Sequence, residues 1–222
     1  MNVTLPLKSE AFKAADIATE DAQKLGVANC LYKSKGKLVA HNTDMQGFAS
    51  PLLESMGVGR LQNGSVLVIG AGGASRAVLG ALLSLGVPEI CLINRTDSKA
   101  DDLVRQVNVP SLYALPWEKR HEALARANLI VNASAAGMEG KPNLDISLDE
   151  ARSSALIYDL IYTPLKTKLI KDAQKRDLKT LGGLDMLIEQ ARPSFKLFFG
   201  AVPPKDADPT QVLLKALKSG VR

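Results

Sequence analysis

Ser65-Val66-Leu67-Val68-Ile69 runs directly into Gly70-Ala71-Gly72-Gly73-Ala74-Ser75-Arg76-Ala77, and this junction decides the fold class. A short apolar, β-branched run that stops at a glycine reads as a buried strand. From Gly73 to Leu85 the residues Ala77, Val78, Ala81, Leu82 and Leu85 recur at helical spacing, and Gly86 closes the segment. Glycine permits a tight turn, and a second glycine lets backbone N–H groups approach a pyrophosphate. The helix N-terminus adds favourable electrostatics. Ser75 stands where a third small residue is usual, so the fingerprint is a variant. With strand, loop and helix in order, Gly70, Ala71, Gly72, Gly73 and Ala74 are expected to hold a dinucleotide.

The next strand discriminates between dinucleotides. Glu89 to Ile93 ends in Asn94-Arg95-Thr96, with Lys99 one turn into the helix expected over Ser98–Val107. An NAD site places an acid at this position to bind the ribose 2′-hydroxyl, whereas a guanidinium pairs with a 2′-phosphate. Asn94, Arg95, Thr96 and Lys99 therefore favour NADP, with Asp97 expected to cap its own helix. Further out, a helix is expected over Trp117–Ala127, strands over Leu129–Val131 and Ala155–Leu160, and a helix over Lys166–Lys175. Such alternation implies a parallel sheet covered on both faces. The first stretch reads differently: a strand fragment at Asn2-Val3-Thr4, helices near 9–15 and 18–25, and a hairpin from Cys30–Tyr32 and Lys37–Ala40 around Ser34-Lys35-Gly36. Two helices, 183–200 and 209–217, flank Pro203-Pro204 at the end, and the loop 57–64 is the expected domain junction.

Composition sets the limits. The 222 residues are 46% apolar and 23% charged, which excludes a disordered, collagen-like or disulfide-stapled chain. The net charge of +5 is scattered, so it suits an anionic ligand better than nucleic acid. Cys30 and Cys91 are far apart and lack zinc spacing, so neither a disulfide framework nor a metal site is expected. With no membrane-length apolar run and no signal pattern, the expectation is a soluble cytoplasmic protein with no membrane partner.

The motifs NVTLPLK (Asn2 to Lys8), VANC (Val27 to Cys30), NTD (Asn42 to Asp44), GAGGASRA, NRT, NASAAGM (Asn132 to Met138), YDLIYTPLKT (Tyr158 to Thr167) and GGLDMLIEQ (Gly182 to Gln190), in this order, resemble the shikimate dehydrogenase family. The likeness covers nearly the whole chain. It implies an α/β, two-lobed protein: a Rossmann-type doubly wound NADP-binding domain over 45–183 and an α/β substrate domain over 1–44 and 184–222. The implied reaction is the reversible reduction of 3-dehydroshikimate to shikimate by NADPH, with a small molecule as the only partner of a monomer or homodimer. Hydride transfer to a ketone creates an alkoxide, so a cation and a proton are needed where that charge develops.

By the same resemblance, Lys8 is the catalytic lysine and Asp44 its aspartate partner, while Thr4, Asn29, Tyr162 and Gln190 hold the substrate. Asn132, Ala133 and Ser134 meet the cofactor at a strand end, Leu160 and Gly183 flank the nicotinamide, and Met186 lines the pocket wall. On the residues alone, Lys8 reads equally as a solvent-facing lysine and Asp44 as a helix cap. Family members open with a further strand, helix and strand that carry a Ser-x-Ser pair for the substrate carboxylate. The present sequence starts at Met1-Asn2, so the substrate domain is expected to be incomplete. Cys30 replaces a usual threonine and Asp185 a common glycine, and His41 and His121 are read as surface or capping residues. Two alternatives stand beside the main reading: an NADP-binding module with little or no activity, and a quinate/shikimate dehydrogenase using NAD.

Overall fold

Ser65–Ile69 forms a strand and the glycine turn after it opens a helix in the computed structural model, which describes residues 1–4, 6–204 and 206–219. In chain order the elements are α1 (Lys8–Lys13), β1 (Ile17–Ala18), α2 (Glu20–Leu25), β2 (Cys30–Ser34), β3 (Lys37–His41), α3 (Asp44–Met56), α4 (Val58–Gln62), β4 (Ser65–Ile69) and α5 (Gly73–Ser84). They continue with β5 (Glu89–Ile93), α6 (Asp97–Val107), β6 (Leu112–Ala114), α7 (Arg120–Arg126), β7 (Leu129–Asn132), β8 (Leu156–Asp159), α8 (Lys168–Lys175), β9 (Lys179–Gly182), α9 (Gly183–Phe199) and α10 (Thr210–Ser219).

The larger sheet has the order β6-β5-β4-β7-β8-β9, and every pair in it is parallel. Strand order reverses between β4 and β7, the switch point of a doubly wound sheet, where ligands bind beyond the carboxyl ends. Side chains alternate strictly. Val66, Val68, Ile90, Leu92, Val131 and Tyr158 pack on one face with Phe48, Leu52, Val78 and Leu82 of α3 and α5. Leu67, Ile69, Ile93, Ile130 and Ile157 pack on the other with Leu124 and Leu169 of α7 and α8. Burial on both faces is why these strands read as unbroken apolar runs.

The smaller sheet has the order β1-β3-β2. Strands β2 and β3 are an antiparallel hairpin whose turn residues Lys35 and Gly36 have φ of 49° and 79°. Two successive left-handed residues match the twist of a tight hairpin. The core here is thin, made of Ala11, Ala22, Ala28 and Ala40 with Val3, Phe12 and Leu31 against it. From β3 the chain enters α3, which joins the core of the larger sheet. Helix α9 crosses α3 at Gly47, where an added Cβ would sit 2.5 Å from Gln190 Cβ and 2.8 Å from its backbone N. Only glycine permits that approach.

Several expectations are corrected. Asn2-Val3-Thr4 contributes an isolated bridge, Asn2 to Cys30, instead of a strand. The helix expected over 18–25 starts at Glu20, because Ile17-Ala18 pairs in parallel with Val39-Ala40. Strands β6 and β9 leave little mark in the sequence, since β6 is short and Lys179 and Thr180 break the apolar pattern of β9. The segment 57–64, expected to be a loop, holds α4. Asp97 does not cap its own helix: it is the first residue of α6 after Thr96, and its Oδ1 accepts the Trp117 N–H at 2.9 Å. His41 is half-buried in β3, its Nδ1 2.9 Å from Thr19 Oγ1, and burial pushes its pKa down. Leu5, inside the first motif, and residues 220–222, at the end of the expected substrate domain, lie outside the described residues.

Candidate active site

Lys8 opens α1 and Asp44 opens α3, and the fold brings them together: Lys8 Nζ lies 2.6 Å from Asp44 Oδ2, with the two side chains 16% and 8% exposed. The other carboxylate oxygen is also held, because Asn29 Nδ2 donates to Asp44 Oδ1 at 2.9 Å. Asp44 therefore caps no helix with its side chain; it fixes the lysine. The backbone of Asp44 is tied down by Asn42 Oδ1, which accepts its N–H at 2.9 Å, and Asn29 Oδ1 accepts the Thr43 N–H at 2.7 Å.

Asn29 is oversubscribed. Its amide nitrogen lies 2.8 Å from Thr43 Oγ1, 2.9 Å from Asp44 Oδ1 and 3.2 Å from Gln190 Oε1, yet it carries two hydrogens. A polar ligand can displace one of these contacts without leaving a buried group unsatisfied. Gln190 arrives on α9, and Ser194 one turn later lies 3.2 Å from Thr43 Oγ1. The structure thus joins Lys8, Asp44, Asn29 and Gln190 in one network and adds Thr43 and Ser194. Neither hydroxyl was legible in the sequence, beyond Ser194 following Gln190 by four on the same helix. Thr4 is exposed and Tyr162 is 41% exposed, and neither belongs to this network.

At the switch point, Gly70 has φ +109° and stands against the next loop, where a Cβ would meet Ser134 N at 2.9 Å. Ser75, fully buried, donates to Gly70 O at 2.6 Å and accepts the Gly72 N–H at 3.2 Å. The variant third position of the fingerprint is thus what locks the turn. Ala71 N–H reaches Asn94 Oδ1 at 3.2 Å, coupling the turn to the end of β5. The first-turn N–H groups of α5, at Gly73 and Ala74, are the ones a helix leaves without internal partners, and the space over Gly72 is open. This cradle fits a diphosphate.

Arg95, Thr96 and Lys99 are exposed beyond β5. The nearby carboxylate, Asp97, accepts the Trp117 N–H, which leaves Arg95 and Lys99 as exposed cations just beyond the strand. That arrangement fits a 2′-phosphate. Asn132 and Ala133 are buried at the end of β7, with Ser134 beside them, while Leu160 and Met186 are half-buried against the same core. Gly183 admits no side chain, since a Cβ would lie 2.2 Å from Leu160 O.

The family model "Shikimate / quinate 5-dehydrogenase" matches residues 53–160, and "Shikimate 5'-dehydrogenase C-terminal domain" matches 183–208. The NADP(+) shikimate dehydrogenase of Cereibacter sphaeroides is 38% identical over 216 residues, 97% of this chain and 77% of that protein. The chain belongs to the shikimate dehydrogenase family. Its similarity to the enzyme of that name from Azorhizobium caulinodans is 41% over 207 residues, covering 93% of this chain and 73% of the relative. Among solved structures, the Thermus thermophilus shikimate 5-dehydrogenase in complex with NADP(H) and shikimate matches with a TM-score of 0.79 and 34% identity, over 99% of this chain and 78% of that one. The Corynebacterium glutamicum quinate dehydrogenase in complex with NAD matches with a TM-score of 0.85 and 29% identity, over 96% and 77%. No helix among the described residues of this family member is long and apolar enough to cross a membrane.

Proposed function

We propose that this chain is an NADP-dependent shikimate dehydrogenase, reducing 3-dehydroshikimate reversibly to shikimate in aromatic amino-acid biosynthesis. The observation that carries this reading is the Lys8–Asp44 ion pair, partly buried and braced by Asn29, in a fold whose switch point carries a diphosphate cradle. When bound, NADPH supplies the hydride. Lys8 Nζ would then meet the negative charge growing on the substrate's carbonyl oxygen and provide the proton, and in the oxidative direction receive one. Asp44 Oδ2 holds the ammonium in place, so little reorganisation is needed as charge develops.

Thr4, Asn29, Tyr162 and Gln190 are assigned to the substrate hydroxyls and carboxylate. Gly70, Ala71, Gly72, Gly73 and Ala74 are assigned to the diphosphate, and Arg95, Thr96 and Lys99, supported by Asn94, to the 2′-phosphate. Asn132, Ala133, Ser134, Leu160, Gly183 and Met186 surround the nicotinamide in this reading. Residues 1–44 and 184–222 form the substrate part and 45–183 the cofactor part. Two buried free thiols support a reducing, cytoplasmic setting, and the working unit is a monomer or homodimer.

The test is shikimate-dependent growth of NADPH absorbance with the purified chain, run beside NAD+ and beside quinate. Turnover with shikimate and NADP+ above that with NAD+ is the expected result. NADPH binding without turnover would sink the catalytic reading, and faster quinate oxidation with NAD+ would replace it with the quinate one.

A further inference from the structure

Asp159 stands at the carboxyl end of β8, fully buried, and the reaction outlined above makes no use of it. Asn132 Nδ2 donates to its Oδ1 at 3.0 Å and the Ile161 N–H donates to the same oxygen at 3.2 Å. Thr167 Oγ1 donates to Oδ2 at 2.5 Å. Burial pushes the carboxyl pKa up, and the three donors oppose that shift. No ion pair reaches it among the described residues, and a buried carboxylate held by neutral donors is an expensive way to fill a core position.

What it supplies is polarity. A carboxylate only accepts, so Asn132 must turn its NH₂ toward Asp159 and its carbonyl oxygen away. That oxygen accepts the Ser134 N–H at 3.1 Å and the Ser134 hydroxyl at 2.7 Å. Asn132 Nδ2 also donates to Ala136 O at 3.1 Å, and Ser134 Oγ accepts the Ala136 N–H at 3.1 Å. The loop after β7 is thereby laced to one amide whose orientation the carboxylate dictates. On the other side, the Ile161 contact sets the turn beside Leu160, whose carbonyl abuts Gly183. Thr167, while donating to Asp159, accepts the Ile170 N–H and caps α8.

We propose that Asp159 is a positioning residue for the coenzyme: it orients Asn132 and, through it, the Ser134–Ala136 backbone, together with the Leu160–Ile161 turn. The inference rests on the assignment of Asn132, Ser134 and Leu160 to the nicotinamide side. Asp159→Asn offers an amide in place of an acceptor-only group, so Asn132 loses its single orientation.

The experiment is a fluorescence titration with NADPH, needing no turnover, followed by KM values for NADP+ and shikimate and a urea midpoint for each variant. Asp159→Asn is expected to weaken NADPH binding about tenfold, with the shikimate KM changing less than about twofold. Thr167→Val is expected to give about a threefold loss, and Thr167→Ser, which keeps both bonds, to match the parent. Unchanged coenzyme affinity in Asp159→Asn, or equal losses for coenzyme and shikimate, overturns the proposal. If Asp159→Asn does not fold, Thr167→Val against Thr167→Ser decides: a difference in NADPH affinity supports the role and identity removes it. A parent chain that binds NADPH but does not oxidise shikimate defeats the proposed reaction while leaving this titration decisive.

Discussion

Lys8 owes its place to a carboxylate reached from a different element, and a side chain that cannot donate a proton should separate chemistry from binding. Lys8→Met is expected to lower kcat by roughly 10²–10⁴-fold while NADPH affinity stays at the parent value. Rapid-mixing turnover and a coenzyme titration on the same sample check this. A second residue carries a prediction of opposite sign. The Tyr158 ring stacks on Phe48 with centroids 5.0 Å apart, but among the described residues its buried hydroxyl has no partner. Burial, aided by the charges of Asp185 and Glu189, drives its pKa upward. Tyr158→Phe keeps the stack and removes the stranded hydroxyl, so it should stabilise the fold by about 1 kcal/mol, read from the urea midpoint. Lys8, Asp44, Asn29 and Gln190 stand out only through the resemblance to a known family, because each residue taken alone reads equally well as surface, cap, turn or packing. Thr43 and Ser194 do not, because a hydroxyl declares its partner only when another segment arrives beside it.

At the level of elements, Gly47 fixes how near α9 comes to α3. Gly47→Ala places a methyl against the Gln190 backbone and must push the helices apart. The expected outcome is a loss of about 1–3 kcal/mol in stability. Because Gln190 then withdraws from Asn29, the shikimate KM should rise, with NADPH affinity unchanged. Steady-state kinetics against each substrate, with a denaturation curve, tests both halves. The elements of the larger sheet were readable wherever burial on both faces wrote an apolar run, as in β4, β5, β7 and β8. β1 and β6 escape because they are two and three residues long, and β9 because Lys179 and Thr180 interrupt its apolar run; backbone pairing, not side-chain pattern, makes them strands. Asp97 departs from the expected cap for a related reason: the Trp117 N–H that draws it away comes from 20 residues further on.

Across the whole molecule, each sheet carries one thiol: Cys30 sits in β2 and Cys91 in β5, both buried. Burial raises the pKa of both, that of Cys91 to about 12. Neither should react quickly with a thiol reagent in the native state. Because α3 runs from the Lys8–Asp44 pair into the core of the larger sheet, the two thiols should become reactive together, at one rate set by cooperative opening. Mass spectrometry of partly labelled protein decides this: doubly labelled and unlabelled species alone are expected, and a population modified at Cys30 only would show that the smaller sheet opens by itself.

Helix α3 carries Asp44, partner of Lys8, at its first residue and Leu52, about two turns along, in the apolar core. Leu52→Ala should cost about 2–5 kcal/mol. Its signature would be turnover that fails at a lower temperature than in the parent, with both Michaelis constants intact in the cold. The temperature at which turnover fails would then be set by apolar packing about two turns away from the carboxylate.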